Sequence, residues 1–384
     1  MRLSIIGPAH PLRGGIAHHV YWLRQQMVAR GHEVQVISFR KLYPSLLFPG
    51  TSERDASGLK LDAQAEALLA PLNPASWARA ARAVQRFGPD AVVLQWWQPF
   101  FAPLFGTLAR LFKRKGLRVI VECHNVLPHE GSPVDRLLTR YAFAAVDEFI
   151  VHARTDAELL RQFVANRPIS LSPLPTFQEF KAATQGKRDG RRLLFFGKVR
   201  RYKGLDVLLE AMPKVLARVD CQLLIAGEFY EDVETYQRII RKHGIERHIR
   251  LINRYVTNEE VAEYFAQADV LVLPYTSASQ SAVAQIALAN DLPIIASRVG
   301  GLCDNLTEGT DGLSFRPGDA SDLADKIVSY FTNDYGPAFA SNLRARRLAG
   351  TSCRLAEIIE SAARDAQGNN PALARLDSGT DEVG

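Results

Sequence analysis

The chain has 384 residues, is 47% apolar and 23% charged, and carries a net charge of +6. That length exceeds one ordinary core and points to two or three domains, while the composition is that of a soluble globular protein and excludes a disordered or fibrous one. No run of eighteen apolar residues is present, so no spanning helix is expected.

In chain order, residues 2–7 read as a strand, and Gly14-Gly15 then precede Ile16, Val20, Leu23 and Met27 at helical spacing, ending at Gly31. A second strand is expected over 33–39, a Pro/Gly-containing loop over 43–58, a helix around 76–87 and a strand over 91–95. Trp96-Trp97 open a stretch in which Phe101, Leu104, Phe105, Leu108, Leu111 and Phe112 form a broad apolar stripe ending in Lys113-Arg114-Lys115. Bulky aromatics beside a basic cluster suit an interfacial membrane helix. A crossover helix with an apolar inner face and a basic end that complements its dipole accounts for the same residues.

Further strands are expected over 117–123, 148–151 and 169–171. Low apolar periodicity over 173–192 marks a linker. The second half repeats the rhythm, with strands over 193–196, 222–226, 249–252, 270–273 and 294–296. Strands alternating with helices imply an α/β protein with parallel sheets. The expected units are a first domain at 1–172, a second at 193–335, a helical segment at 336–366 and a disordered tail at 367–384.

The charge is uneven: 22 basic against 14 acidic residues up to position 185, and 25 against 27 beyond it. A basic first half suits a nucleic acid, an anionic membrane or an acidic substrate. No zinc-finger spacing, aromatic-basic RNA motif or basic DNA-reading helix is present, so nucleic acid is not expected. Cys123, Cys221, Cys303 and Cys353 are scattered and read as free thiols. The opening MRLSIIGPAH lacks a signal-peptide core, so the cytoplasm is the expected compartment.

The chemistry concentrates where strands end. In FFGKVRRYKG, Gly197 lets the backbone turn, and Lys198 and Lys203 stand at the carboxyl end of a strand, where open α/β sheets bind ligands; a solvated basic loop is the plain alternative. Gly14 and Gly15 allow close approach of a ligand to a helix start, or simply make a tight turn. His124 follows the strand over 117–123 and faces the cleft that two such domains joined by a linker would enclose, as a proton-exchanging or loop-capping residue. His129 and Glu130 share its loop, but their spacing fits no strong metal motif, and no metal is expected. In SASQSAVAQ, Ser279, Gln280 and Ser281 suit contact with a phosphate or sugar, or a helix cap. Gly300-Gly301 repeat the strand-then-glycine design.

Together these segments resemble glycosyltransferase family 4, over nearly the whole chain to about residue 335. Gly14-Gly15 with the helix leading to GHEVQVIS is similar to its N-terminal signature. FFGKVRRYKGLDVLLEAM resembles its phosphate-binding motif, and DLPIIASRVGGLCDNLTEGTDGLSFRPGD its C-terminal signature. The resemblance implies the GT-B architecture, in which two Rossmann-like domains with parallel sheets face each other across a cleft. It implies a retaining glycosyl transfer from a UDP- or GDP-linked sugar, without metal or other cofactor, to a hydroxyl of a glycan or lipid-linked acceptor. Synthesis of a cell-surface polysaccharide or glycoconjugate, with peripheral contact at the inner face of the plasma membrane, is the setting it suggests.

By position, Lys203 corresponds to the donor-phosphate lysine, and Lys198 stands where arginine is usual. Gly15 meets the donor diphosphate and His124 the donor sugar; Gly14, Gly197, Glu228, Ser279, Gln280 and Ser281 join the donor-binding set. Trp96, Trp97, Lys113, Arg114 and Lys115 are candidates for membrane or acceptor contact. Two glutamates usual in the family are replaced here by Ala278 and Ile286. That departure leaves open an altered donor site, a non-catalytic sugar-nucleotide-binding or scaffold protein, and an epimerase of related architecture.

Overall fold

The computed structural model describes residues 1–44, 52–128, 131–183, 190–304, 306–349 and 354–364. His129, Glu130, Cys353 and the tail beyond 364 lie outside them, as does part of the expected 43–58 loop and of the 173–192 linker. The first lobe runs β1 (Arg2–Ile6), α1 (Gly15–Ala29), β2 (Glu33–Phe39), β3 (Glu66–Leu69), α2 (Pro74–Phe87), β4 (Ala91–Trp96), α3 (Ala102–Lys113), β5 (Arg118–Cys123), α4 (Pro133–Phe143), β6 (Glu148–Val151), α5 (Arg154–Arg161) and β7 (Ile169–Leu171). The second runs β8 (Arg192–Phe196), α6 (Leu205–Leu216), β9 (Gln222–Ala226), α7 (Val233–His243), β10 (Ile249–Ile252), α8 (Asn258–Gln267), β11 (Val270–Leu273), α9 (Ala282–Ala289), β12 (Ile294–Ser297) and β13 (Gly312–Phe315), followed by α10 (Ala320–Thr332), α11 (Tyr335–Leu348) and α12 (Leu355–Arg364).

Each lobe is built on one parallel sheet, ordered β3-β2-β1-β4-β5-β6-β7 in the first and β10-β9-β8-β11-β12-β13 in the second. The order reverses between β1 and β4 and again between β8 and β11, and at such switch points the carboxyl ends of the strands leave a crevice. Helices cover both faces, so the strands are apolar throughout: every residue of β4 is buried. Val92, Leu94 and Trp96 point into one core layer, with Phe101, Phe105 and Phe112, and Ala91 and Val93 into the other.

The last described helix returns to the first lobe. Leu355 and Ile359 of α12 pack with Leu3, Ile5 and Val93. Arg30 donates two hydrogen bonds to the Glu360 carboxylate, at 2.7 and 2.9 Å.

The aromatic stretch from Trp96 is core. Phe101, Leu104, Phe105, Leu108 and Phe112 are all buried, Trp97 packs on them, and Lys113 pairs with Asp147 at 2.7 Å. Of the two readings of this stretch, the crossover helix accounts for the apolar stripe, which α3 turns to the sheet, while Lys113, Arg114 and Lys115 stay exposed at its end. No helix among the described residues is long and apolar enough to cross one. Cys123 and Cys221 are buried and Cys303 half-buried, all as free thiols.

Candidate active site

At the first switch point, β1 leads through Arg13 into Gly14, which caps α1 with φ +122° and supplies no side-chain cap. The N–H groups of the first turn are thus left without a side-chain acceptor, as at anion-binding helix starts. That start faces the second lobe, because a Cβ on Gly15 would stand 3.1 Å from the Cβ of Ala282, the first residue of α9.

At the second switch point, β8 is followed by Gly197, at φ +102°, where a Cβ would stand 3.0 Å from Lys203 Nζ. Gly204 is held at φ +64° with its α-carbon against the Pro274 carbonyl; a Cβ there would lie 1.9 Å from that oxygen. These turns bring the two lysines back over the strand end. Lys203 is buried, its Nζ 5.3 Å from the Tyr275 ring centroid. Lys198 Nζ lies 5.3 Å from the Tyr230 ring centroid and the Arg200 guanidinium 4.8 Å from the same ring.

Arg13 reaches across from the first lobe, pairs with the buried Glu228 and lies 4.7 Å over the Tyr255 ring. The cations feel one another. Burial, with repulsion from Arg13, Arg200 and Lys203 and partial relief from Glu228, lowers the pKa of Lys198 to about 8. Burial also lowers that of Lys203.

His124 stands just past β5, half-buried, its Nε2 2.6 Å from Gln95 Oε1. Burial keeps its pKa well below the usual imidazole range. Three more ionisable groups lie beneath it: His19 of α1, Glu122 of β5 and His152 just after β6. Ser279 Oγ donates to the His124 carbonyl at 3.2 Å and to Asn125, while Gln280 Nε2 donates to the carbonyls of His152 and Gly301 at 3.1 and 3.0 Å. Ser279 and Gln280 therefore tie the lobes together. Ser281 is the N-cap of α9, accepting from Ala284 N–H at 3.3 Å.

A second tie joins Asp55 and Ser57 to Tyr255 and Asn258: Asn258 Nδ2 and Tyr255 Oη donate to Asp55 at 2.9 and 2.8 Å, and Asn258 N–H donates to Ser57 Oγ at 2.9 Å. Sequence reasoning singled out His124, Lys198, Lys203 and Glu228 but missed Arg13, Gln95, His19, Glu122 and His152. Gln95, Glu122 and His152 sit at or just beyond strand ends, His19 on the helix after the glycine pair and Arg13 directly before that pair. Glu122 lies two residues before His124, and period-two alternation would have put both on one face.

Two parallel sheets with switch points facing across an interlobe cleft define the GT-B class of glycosyltransferase. Residues 14–175 match the family model described as glycosyl transferase 4-like domain, and residues 190–333 the model described as glycosyl transferases group 1. The chain belongs to this glycosyltransferase family. An uncharacterized glycosyltransferase of Methanocaldococcus jannaschii, MJ1607, is 29% identical over 154 residues, a match that spans 39% of each chain. N-acetyl-alpha-D-glucosaminyl L-malate synthase of Bacillus anthracis is 21% identical over 355 residues, covering 87% of this chain and 89% of that one. Among solved structures, Anabaena Alr3699/HepE in complex with UDP superposes with a TM-score of 0.72 at 14% identity, covering 94% and 99% of the two chains.

Proposed function

We propose that the chain transfers a glycosyl group from a UDP- or GDP-linked sugar to a hydroxyl of a glycan or lipid-linked acceptor, with retention of anomeric configuration. The bond from the anomeric carbon to the diphosphate breaks, a bond to the acceptor oxygen forms, and negative charge builds on the departing diphosphate. One observation carries the reading: Arg13 from one lobe and Lys198, Arg200 and Lys203 from the other converge, with Glu228 among them, beside the start of α1. Fixed cations aimed at developing charge stabilise the transition state more than the ground state. The charge of the leaving group is met by side chains, so the step draws on no metal at the diphosphate and on no cofactor beyond the co-substrate. His124 contacts the donor sugar. The UDP held by the Anabaena neighbour supports a nucleotide-sugar donor.

The acceptor lies against the first lobe, whose excess of basic residues suits an anionic, lipid-diphosphate-linked glycan presented at the inner membrane face. Polysaccharide or glycoconjugate synthesis is the process such an acceptor serves. A second reading, a sugar-nucleotide-binding protein without turnover, is favoured by Ala278 and by Ile286, which is buried in the second lobe's core where the family resemblance puts a carboxylate.

A thermal-shift screen of UDP- and GDP-sugars, followed by turnover with an acceptor, tests the proposal. Stabilisation by one donor and acceptor-dependent release of nucleoside diphosphate are expected. Binding without release would favour the second reading, and conversion of the donor without acceptor would mark an epimerase. No stabilisation by any nucleotide-sugar would overturn the proposal.

A further inference from the structure

We propose that His19, Glu122, His152 and His124 form a binding site for one divalent transition-metal ion, of which zinc is the reference case, below the floor of the cleft. One donor atom from each of the four lies within 4.8 Å of the others. The three rings surround the carboxylate, with centroids 5.0, 5.3 and 5.7 Å apart. His19, Glu122 and His152 are 1%, 0% and 2% exposed, so bulk water does not solvate them.

The outer hydrogen bonds fix which atoms remain available. His152 Nδ1 lies 2.8 Å from the Ser172 carbonyl, which only accepts, so Nδ1 carries the proton and Nε2 presents a lone pair. Gln95 donates through Nε2 to Glu122 Oε2 at 2.7 Å and accepts through Oε1 from His124 Nε2 at 2.6 Å. The reverse amide orientation would set oxygen against carboxylate. His124 Nδ1 and Glu122 Oε1 are therefore also lone-pair atoms.

Glu122 Oε1 lies at ion-pair distance from two rings, 2.6 Å from His19 Nε2 and 3.2 Å from His152 Nε2, yet no aligned hydrogen bond joins these three atoms. The Glu122 carboxylate and the lone pair of His152 Nε2 repel unless a cation lies between them, and such buried groups need a partner. A cation between them removes the conflict. Ligand atoms about 2.0–2.1 Å from zinc are about 3.4 Å apart in a tetrahedron, so the closest pair, at 2.6 Å, would open by under an ångström and the widest, within 4.8 Å, would close by up to about 1.4 Å.

Imidazole nitrogens with one carboxylate oxygen select zinc or a neighbouring transition metal over magnesium or calcium. The ring N–H to carbonyl bond of His152 and the Gln95 bridge are the outer contacts that orient ligands at such sites. The ligands come from α1, the end of β5 and the residue after β6, so the ion pins three elements of the first lobe and the ring of His124 at the cleft. The site stands apart from the diphosphate cations and shares only His124 with the proposed donor-sugar contact, so ion uptake is read without turnover.

The full chain, dialysed against a chelator and titrated with zinc in competition with a chromophoric chelator, should take up one ion. Cobalt(II) added in its place should give visible d–d bands of a four-coordinate nitrogen/oxygen site without thiolate charge transfer. Glu122→Gln and His152→Asn should each weaken uptake by about 100-fold or more, and Gln95→Leu by about 10- to 100-fold, with far-UV circular dichroism unchanged. Failure of the unmodified chain to bind either ion would overturn the proposal, as would cobalt bands or zinc uptake that persist unchanged in folded variants. In that event a shared proton, not a metal, holds the cluster together.

Discussion

Replacing Lys203 with methionine separates function from stability. The ammonium is buried beside the Tyr275 ring, and burial lowers its pKa, so the charged form is held in the fold at a cost. Arg200 adds like-charge repulsion. Methionine keeps the length and the apolar contact with Tyr275 while removing the charge. A hydrogen bond to a charged group contributes about 1.5–3 kcal/mol, so the variant should bind UDP or GDP about 10- to 150-fold more weakly. Its melting temperature without nucleotide should be equal to that of the unmodified chain or higher, at about 2–4 °C per kcal/mol of relief for a domain of this size. Differential scanning fluorimetry with and without nucleotide reads both quantities. A variant that kept its nucleotide-induced shift would refute the reasoning, as would one that melted several degrees lower without ligand, since Lys203 would then be a structural tie.

Lys198 should impose an alkaline limit: with its pKa at about 8, set by burial and by Arg13, Arg200 and Lys203 against Glu228, it carries its proton only below that pH. kcat/KM for the donor should fall above pH about 8, by up to about tenfold per unit, and Lys198→Arg should remove that limb; a limb unchanged in Lys198→Arg assigns it to another group. Asn258→Ala removes donors to Asp55 and to the Leu59 carbonyl, at 2.9 and 3.1 Å, and should open the lobes, seen as a larger radius of gyration by small-angle scattering and faster amide exchange over 52–59. An unchanged scattering profile would show that the Ser279 and Gln280 contacts suffice. Glu360→Gln should loosen α12 and cost on the order of 1 kcal/mol at neutral pH. The Arg30 hydrogen bonds, with help from His32, hold the Glu360 pKa at about 2, so its contribution is complete above the ordinary carboxylate range and is lost as pH falls through about 2. Urea denaturation at pH 6 and near pH 2 should show the two proteins differing at the first and converging at the second, and equal stability at pH 6 would contradict the account.

The strands with apolar runs were legible in the sequence because a parallel strand covered on both faces needs no alternation: 148–151, 222–226 and 270–273 match β6, β9 and β11 residue for residue, and the more polar 33–39 and 169–171 match β2 and β7. β3 and β13 were not legible. β3 is a four-residue edge strand with Glu66 exposed, and β13 begins at a glycine inside a loop-like run. The aromatic stretch after Trp96 was ambiguous because an inner-face crossover helix and an interfacial helix carry the same residues; only packing tells them apart.

At the site, the glycines betrayed the turns, since positive φ at Gly197 and Gly204 leaves few other residues possible. Arg13 and Glu228 meet over a separation of 215 positions, which no local pattern records. The His19–Glu122–His152 cluster stayed hidden for the same reason: its members come from three elements whose proximity follows from strand order, not from spacing.

The proposed transfer requires that cations of both lobes grip a diphosphate. Isothermal titration with UDP, UMP and uridine, and with the guanosine series, tests it most directly in the unmodified chain and in Lys198→Met/Lys203→Met. The diphosphate of the preferred base should bind at least about tenfold more tightly than its monophosphate, and that advantage should vanish in the double variant. Equal affinity for diphosphate and nucleoside, or an advantage that survives loss of both lysines, would contradict it.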